Sequence, residues 1–314
     1  MLFKGQKLGK YKVVDTIGSG GFGVVYLAVD TWIEKQVAIK VPHQQNEDIG
    51  ELLKEPRLLA TLDHPNVVNV ITAEKRDGLF YIVMEYVDGE SLEDVLKREK
   101  MMEVRQVFEI TAQICRGVDY AHSHSIIHRD LRPANILMNK RGEAKIADFG
   151  TSRLLENIPY AKTRIGSPPY MAPEHLKGRA VFQSDIYSLG IVMYEMLTGN
   201  VPLFDVNLAK LERLVAEGKI TPPKLRNTAI PKELSEIVMK ALATNVSERY
   251  QRAGDLLYDM EKYFGTSEKK RQMDDIRSRL RAREDGSREA ACWNCGKALP
   301  RRAMECAHCG VSVV

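Results

Sequence analysis

The pattern of apolar and polar residues divides most of the chain into a strand-rich part and a helix-rich part. Between residues 9 and 90, short segments of Val, Ile and Tyr are bounded by Gly, Asp or Pro, which predicts strands. One helix is predicted among them, over about 48–62, and Ser91 predicts the N-cap of another. Further helices are predicted, from apolar residues at helical spacing, over 103–124, 184–198, 231–243 and 253–264. Strands followed by helices predict an α+β fold of two lobes.

The composition is that of a globular protein. Hydrophobic residues make up 44% of the 314 residues and charged residues 28%, which allows a sizeable core and argues against global disorder. The longest apolar run, around 189–197, is interrupted by Glu195 and is far too short to span a bilayer. The first residues, MLFKGQKLGKYK, lack a continuous apolar segment. We therefore expect no secretory signal, no disulfide framework and a cytoplasmic protein.

The C-terminal segment differs from the rest of the chain in charge and in cysteine content. Residues 265–290 carry many charges and almost no large apolar side chains, which predicts a charged linker. Four of the five cysteines follow, in two C-x-x-C-G sequences within 291–314: Cys292, Cys295, Cys306 and Cys309. Four thiolates can close a tetrahedral Zn²⁺ site, so we expect a small zinc ribbon with structural Zn²⁺. A redox C-x-x-C motif is the alternative, but it needs only one such pair.

We expect the ribbon to dock a protein partner or to regulate the rest of its own chain. The net charge of +4 is too weak to predict nucleic-acid binding. The tail also lacks a stripe of interleaved basic and aromatic residues, so we do not expect a nucleic-acid partner.

A glycine pattern near the start of the chain predicts a phosphate-binding loop. Gly18, Gly20 and Gly23 fit G-x-G-x-x-G, which also occurs in dinucleotide-binding folds. Those folds need a helix directly after the glycines, whereas here VVYLAV predicts a second strand. The glycines are therefore expected to form a flap between two strands, whose backbone can approach phosphate oxygens. An ordinary glycine-rich turn is the alternative. Lys40, on the next strand, is a candidate phosphate ligand, and Glu55 is its candidate acidic partner.

Two loops between residues 126 and 150 supply the oxygen atoms that phosphoryl transfer requires. His128-Arg-Asp130 is followed by Asn135, and Asp148-Phe-Gly comes soon after. Mg²⁺ prefers hard oxygen ligands, so one carboxylate and one amide oxygen can suffice to hold it. A second carboxylate can receive the proton of an attacking hydroxyl.

Over about residues 11–264, this ordered set of motifs resembles the eukaryotic-type protein kinase family, with an N-lobe at about 11–87 and a C-lobe at about 88–264. The resemblance implies an enzyme that uses ATP and Mg²⁺, or Mn²⁺, to phosphorylate protein substrates. It implies that Asp130 is the catalytic base, and that Asn135 and Asp148 hold the metal. It also implies that Lys40 contacts the α- and β-phosphates. The residues implied to surround the nucleotide are Ile17, Gly18, Gly20, Gly23, Val25, Ala38, Lys40, Met84, Glu85, Val87 and Leu137.

The resemblance also implies contacts away from the nucleotide. Glu174 is expected to pair with Arg249, and Asp185 is expected to be buried in the long central helix. An apolar column is expected to link the lobes through Leu59, Val70, His128 and Phe149.

Thr163 is the expected activating phosphosite, because it lies nine residues before Ala172, at the family's usual spacing. Arg129 supplies a cation with which the phosphate could pair. The alternatives in the same segment are Thr151, Ser152 and Tyr160.

Two positions depart from the family's pattern. Pro56 follows Glu55, and a proline inside a helix costs about 3 kcal/mol or more, so we expect the helix to begin just before Glu55 or to kink there. Arg132 stands where Ser/Thr kinases usually have Lys, and it keeps a positive charge near the transferred phosphate. The segment that begins at Ser167, SPPYMAPE, resembles that of Ser/Thr kinases. We therefore expect a Ser/Thr kinase.

The alternatives are a tyrosine or dual-specificity kinase and a pseudokinase that serves as an ATP-binding scaffold. A further alternative places the main function in the ribbon, with the kinase regulating it.

Overall fold

The computed structural model describes residues 2–21, 23–45, 48–149, 167–267, 273, 290–299 and 303–312, and only the backbone at 54, 55, 290, 291 and 298. The chain forms two compact units, Met1–Met260 and Glu261–Val314. Across these described segments, every helix is either too short or too polar to cross a membrane.

The larger unit begins with an antiparallel sheet of six strands in the order β1-β2-β3-β4-β6-β5. The strands are β1 (Lys7–Leu8), β2 (Tyr11–Gly20), β3 (Gly23–Asp30), β4 (Lys35–Pro42), β5 (Val70–Arg76) and β6 (Leu79–Glu85). Alternate side chains, such as Tyr26, Ile39 and Val83, pack into one apolar cluster on one face. Their neighbours therefore point to the opposite face. The strand-rich first part that the sequence predicts is confirmed.

The helix predicted over 48–62 is two short helices. They are α1 (Ile49–Leu52) and α2 (Lys54–Leu59), with a break at Leu53. Pro56 lies in the first turn of α2, where a backbone N–H has no partner within the helix, so its missing hydrogen costs little there. The prediction of one continuous helix is therefore wrong, and the prediction that a helix begins just before Glu55 is confirmed.

The remainder of the larger unit is mainly helical. Its described helices are α3 (Leu92–Glu99), α4 (Val104–Ser123), α5 (Pro173–Leu176), α6 (Phe182–Thr198), α7 (Leu208–Glu217), α8 (Pro223–Arg226) and α9 (Lys232–Ala241). A last helix, α10 (253–267), begins in this unit and continues into the first residues of the smaller one. The side chains of α6 are buried on almost every face, so this helix forms the centre of the core. Because α10 runs to residue 267, the first residues of the predicted linker are helical.

A small antiparallel sheet lies beside these helices. It consists of β7 (Gly89–Ser91), β8 (Ile136–Asn139) and β9 (Ala144–Ile146). A 3₁₀ turn, Pro133–Asn135, leads directly into β8.

The smaller unit contains a two-stranded antiparallel sheet of β10 (Ala290–Ala291) and β11 (Ala298–Leu299). Further along, an isolated antiparallel bridge joins Glu305 to Ser312. Each of these pairings encloses one of the two C-x-x-C-G sequences.

Candidate active site

A cavity of about 510 Å³ opens between the six-stranded sheet and the helical part of the larger unit. Val25, Ala38 and Met84 reach it because they lie on the sheet face opposite to the apolar cluster. The residues predicted to surround the nucleotide that line this cavity are Ile17, Gly18, Val25, Ala38, Met84, Glu85, Val87 and Leu137. Most of the side chains that line the cavity are apolar, as is usual for a site that binds a small molecule.

The cavity also has a polar wall that the sequence analysis missed. Ser91 and Asp94 line it, and the Ser91 hydroxyl donates to Asp94 Oδ2 at 2.6 Å. Ser91 Oγ also accepts from the backbone N–H of Asp94, which makes it the N-cap of α3. Sequence analysis identified the cap and did not recognise that the same turn faces the cavity. Apolar lining residues that it missed are Val68, Ala134 and Ala147.

The three glycines lie in the β2–β3 hairpin, which confirms the predicted flap between two strands. Gly20 pairs with Gly23 at its tip. A Cβ on Gly23 would lie 2.3 Å from the carbonyl oxygen of Val41, so the close approach of β4 requires glycine there. Within the described residues, Gly18 lines the cavity and the other two glycines of the motif do not.

Lys40 is almost fully buried on β4, with 4% of its surface exposed. Its Nζ lies 3.0 Å from Asp148 Oδ1. Desolvation raises the pKa of Asp148, but the charge and the hydrogen bond of Lys40, together with His128 and Arg132, outweigh it, so the net effect is a lowered pKa. Asp148 is therefore held as a carboxylate. The side chain of Glu55 lies outside the described residues, so its pairing with Lys40 stays a prediction.

Asn135 connects the two acidic loops. Its Nδ2 donates to the backbone oxygen of Asp130 at 2.8 Å and to Asp130 Oδ2 at 2.9 Å. The backbone carbonyl oxygen of Asn135 accepts from the N–H of Ala147, directly before Asp148, at 2.8 Å. Burial raises the pKa of Asp130 more than His128, Arg132 and Asn135 lower it. The predicted base and the two predicted metal ligands are thus brought together.

Asp185 fixes the backbone of the loop that carries Asp130. Its carboxylate accepts from the backbone N–H groups of His128 and Arg129, each at 2.9 Å, and from His122 Nε2 at 2.8 Å. Arg129 has φ = 68°, a left-handed conformation that costs energy for a residue with a Cβ. The buried carboxylate stabilises this conformation, and the expected burial of Asp185 is found at 1% exposure.

His128 connects the same loop to Phe149. Its Nε2 donates to the carbonyl oxygen of Ala147 at 2.9 Å, and its ring packs edge-on against Phe149 with centroids 4.6 Å apart. One small cavity is lined by Leu59, Val70 and Phe149, together with Met84. These contacts fit the apolar column that the resemblance implies.

Arg132 contacts two parts of the chain that are distant in sequence. Its Nη1 donates to Ser167 Oγ, and its Nη2 lies 3.4 Å from Glu93 Oε1. Its Nε is buried and has no hydrogen-bond partner among the described residues. Arg132 therefore joins the catalytic loop to the segment that begins at Ser167 and to α3. Sequence analysis did not predict the contact with Glu93.

The expected pair of Glu174 and Arg249 is present. Two guanidinium nitrogens of Arg249 donate to the two carboxylate oxygens of Glu174 at 2.7 and 2.8 Å. The Arg249 side chain is fully buried and also donates to the carbonyl oxygens of Gln183, Ala243 and Thr244. This geometry is the strong, bidentate form of the interaction.

The predicted phosphosite falls within residues 150–166, which lie outside the described residues. That range contains Thr163 and its alternatives Thr151, Ser152 and Tyr160, so the phosphosite stays a prediction.

The four C-terminal cysteines converge in the smaller unit. Their sulfur atoms all lie within 4.8 Å of one another, with Cys292 Sγ 3.6 Å from Cys309 Sγ and Cys295 Sγ 3.7 Å from Cys306 Sγ. Sulfurs bound at about 2.3 Å in a tetrahedron are about 3.8 Å apart, so these distances fit one Zn²⁺ ion.

The two turns that carry the cysteines have the same backbone structure. Gly296 N–H donates to Cys292 O and Gly310 N–H donates to Cys306 O, both at 2.8 Å. The glycines have φ of 70° and 67°, which only glycine adopts without strain. The repeated turn explains why glycine follows each C-x-x-C.

Comparison with known proteins agrees with this geometry. The sequence model of the protein kinase domain matches residues 11–258, and the chain belongs to this family. The chain is 36% identical over 276 residues to serine/threonine-protein kinase PrkC of Bacillus subtilis (strain 168), an alignment that covers 84% of this chain and 42% of PrkC. It is 38% identical over 265 residues to serine/threonine-protein kinase PknB of Mycolicibacterium smegmatis, covering 80% of this chain and 42% of PknB. The chain thus spans about two fifths of the length of these relatives.

Proposed function

We propose that this chain is a protein kinase that transfers the γ-phosphate of ATP to serine or threonine hydroxyls of protein substrates. The observation that carries the proposal is the convergence of Lys40, Asp130, Asn135 and Asp148 next to the 510 Å³ cavity. A metal ligand set, a phosphate-binding cation and a proton acceptor are the groups that phosphoryl transfer uses.

In this proposal the adenine ring occupies the cavity between Ala38 and Leu137. The backbone N–H of Glu85 already donates to Asn69 O at 3.0 Å, so Glu85 offers the base its carbonyl oxygen. Val87 can offer its own backbone groups. Ser91 and Asp94, on the polar wall, are the groups placed to bind sugar hydroxyls.

The acceptor hydroxyl is oriented by Asp130. Its oxygen attacks the γ-phosphorus while the bond from that phosphorus to the bridging oxygen of ADP breaks, and its proton passes to the Asp130 carboxylate. Asn135 and Asp148 would hold Mg²⁺, or Mn²⁺, which neutralises charge on the phosphates. The fit is supported by the donor set, since Asn135 uses its amide hydrogens on Asp130 and retains its amide oxygen for a cation.

Lys40 neutralises phosphate charge in the same site, and Arg132 keeps a second cation beside the acceptor. The hydrogen bond from Arg132 to Ser167 supports the Ser/Thr specificity, because it ties the catalytic loop to the segment that resembles Ser/Thr kinases. The relatives are named serine/threonine-protein kinases, which supports serine and threonine as the residues that accept the phosphate.

The first test is a phosphotransfer assay with ATP, Mg²⁺ and a panel of generic protein substrates, followed by phosphoamino-acid analysis. We expect phosphoserine and phosphothreonine. Asp130→Asn should abolish transfer while ATP binding stays close to wild type, because the base acts on the acceptor. ATP binding without transfer by the wild-type chain would instead support an ATP-binding scaffold, and phosphotyrosine would support a tyrosine or dual-specificity kinase.

We further propose that residues 291–314 of the smaller unit form a zinc ribbon, with Zn²⁺ bound by Cys292, Cys295, Cys306 and Cys309 as a structural ion. Its proposed role is to dock a protein partner. The mutual distances of the four sulfurs support the metal, and the repeated turn supports the ribbon.

A further inference from the structure

The loop after β4 reaches the tip of the glycine hairpin through one side chain. His43 Nε2 lies 2.9 Å from the carbonyl oxygen of Gly20. A carbonyl oxygen can only accept, so Nε2 carries the hydrogen, as it does in imidazolium and in one neutral tautomer. The bond therefore connects β2 to the residue directly after β4.

The packing of β4 against the hairpin brings His43 to this position. Gly23 pairs with Pro42, and a Cβ on Gly23 would lie 2.9 Å from Pro42 Cα. A side chain at position 23 would push the end of β4 away from the hairpin. The third glycine of the motif thus allows the close approach of β4, and His43 is the next residue along the chain.

The loop that carries His43 is itself fixed to the sheet. Gln45 Nε2 donates to Pro42 O at 2.6 Å and to Phe80 O at 3.2 Å. Gln45 Oε1 accepts from the N–H of Phe80 at 2.8 Å. The side-chain amide of Gln45 therefore binds both the N–H and the carbonyl oxygen of Phe80 in β6. These bonds hold the start of the loop in place.

The side-chain positions at the hairpin tip are open. An added Cβ on Gly20 or Gly21 would meet no atom within 4 Å. Among the described contacts of Gly20, the bond from His43 is the one that comes from outside the hairpin. Loss of it would let the tip move away from the cavity more often.

We propose that His43 is a positioning residue that holds the glycine hairpin where its backbone can bind the phosphates of ATP. This rests on the proposed ATP binding and adds a residue outside the glycine motif. Since His43 acts through Gly20 and does not touch the acceptor, its loss should weaken nucleotide binding and leave the transfer step intact. One hydrogen bond of this kind corresponds to about a two- to tenfold change in affinity.

The test compares four variants by calorimetric titration with Mg²⁺ and a non-hydrolysable ATP analogue, and by steady-state kinetics. His43→Ala should raise the Kd of the analogue and the KM for ATP by about two- to tenfold, with kcat at saturating ATP within about twofold of wild type. His43→Gln should restore binding, because its amide nitrogen reaches about as far from the backbone as Nε2. His43→Asn is too short and should not restore it. Gln44→Ala, at the exposed neighbouring position, is the matched control.

Hydrogen exchange of the nucleotide-free protein provides a readout that does not depend on ATP. The amides of Gly20 and Gly21 should exchange faster in His43→Ala, with the amides of central β6 unchanged. Wild-type affinity of His43→Ala for the analogue overturns the positioning role. Equal losses in His43→Gln or in Gln44→Ala do the same. A wild-type chain that binds no analogue at all refutes the proposed function, and with it this role.

Discussion

Asn135 binds Asp130 twice, through its backbone oxygen at 2.8 Å and through Oδ2 at 2.9 Å. The contact joins the proposed proton acceptor to a proposed metal ligand. It also orients the amide, because both bonds use the amide nitrogen and leave the amide oxygen for a cation. One side chain therefore couples the position of the carboxylate to the position of the metal site.

The raised pKa of Asp130 predicts the low-pH limit of activity. Burial raises this pKa above that of an ordinary aspartate, so the carboxylate takes up its proton at a higher pH. Because the proton acceptor must be ionised, kcat should fall as the pH drops through this raised pKa. We would measure kcat as a function of pH at constant Mg²⁺ and ionic strength, with ATP binding measured at each pH. The fall of kcat on the acidic side of this profile is its acid limb.

Substitution of Arg132 tests whether Asp130 is the group whose titration limits kcat at low pH. The charge of Arg132 lowers the pKa of Asp130, so Arg132→Met should move the acid limb of kcat to higher pH, whatever it does to the maximum rate. Arg132→Lys keeps the charge and should move the limb much less. An acid limb that moves to lower pH in Arg132→Met would contradict the assignment of Asp130 as the titrating base.

The pair of Glu174 and Arg249 should contribute strongly to stability. Arg249→Met leaves the half-buried Glu174 carboxylate without its fully buried cation and removes donors from three carbonyl oxygens. Removal of one partner of a buried pair typically costs about 3–5 kcal/mol. Urea unfolding followed by far-ultraviolet circular dichroism measures this loss.

The exposed pair of Arg252 and Asp119 is the matched control. Its nitrogen and oxygen atoms are 2.9 Å apart, but the Arg252 side chain is 69% exposed. Solvent screens such a pair, so Arg252→Met should lower the free energy of unfolding much less than Arg249→Met does. Equal losses in the two methionine variants would show that burial does not decide the strength of these pairs.

Much of the fold could be predicted because it depends on local patterns. Strands β2, β3, β4 and β6 follow alternating or β-branched segments, and the N-cap of α3 follows from Ser91. The break before Pro56 also has a local cause, the missing N–H. The exact split into α1 and α2 at Leu53 has no comparable signal in the sequence, and there the prediction of one helix failed.

The site could be predicted only in part, for a related reason. The motif residues were found because the resemblance supplies their roles, whereas contacts particular to this chain depend on packing between distant segments. Glu93 and Arg132 are 39 positions apart, and His43 and Gly20 are 23 apart. Nothing in either local sequence marks these pairs. Ser91 was predicted only as the N-cap of a helix. Its position in the wall of the cavity depends on tertiary packing, which the local sequence does not specify.

Thr163 is predicted to carry the activating phosphate. A phosphate there could pair with the guanidinium of Arg129. The backbone of Arg129 is held in place by its hydrogen bond to Asp185. We expect phosphate on Thr163 in active protein and lower kcat in Thr163→Ala, restored in part by Thr163→Glu. Mass spectrometry and kinetics check this, with Thr151→Ala as the control. An active enzyme without phosphate on Thr163, together with full activity of Thr163→Ala, would exclude the site.

The ribbon, residues 291–314, should depend on metal for its folding. Among its described side chains, Cys292 and Cys306 are buried, each 2% exposed, whereas Trp293 and Met304 are 73% and 70% exposed. Chains below about 40 residues usually need a metal or disulfides to fold. Metal binding then supplies the folding free energy of the ribbon. We expect one Zn²⁺ per chain by elemental analysis of protein purified under reducing conditions without chelator.

Substitution and chelation separate the metal site from the kinase domain. Replacing Cys306 and Cys309 by Ser should remove the zinc, because two of the four ligands are lost. Cys115→Ala is the control: Cys115 is the buried fifth cysteine, in α4, and its loss should leave the zinc content unchanged. A chelator should unfold the ribbon and leave ATP binding intact, since the larger unit has its own apolar core. Unchanged zinc in the double Ser variant would assign the metal to other ligands, and protein that holds no zinc under these conditions would refute the ribbon.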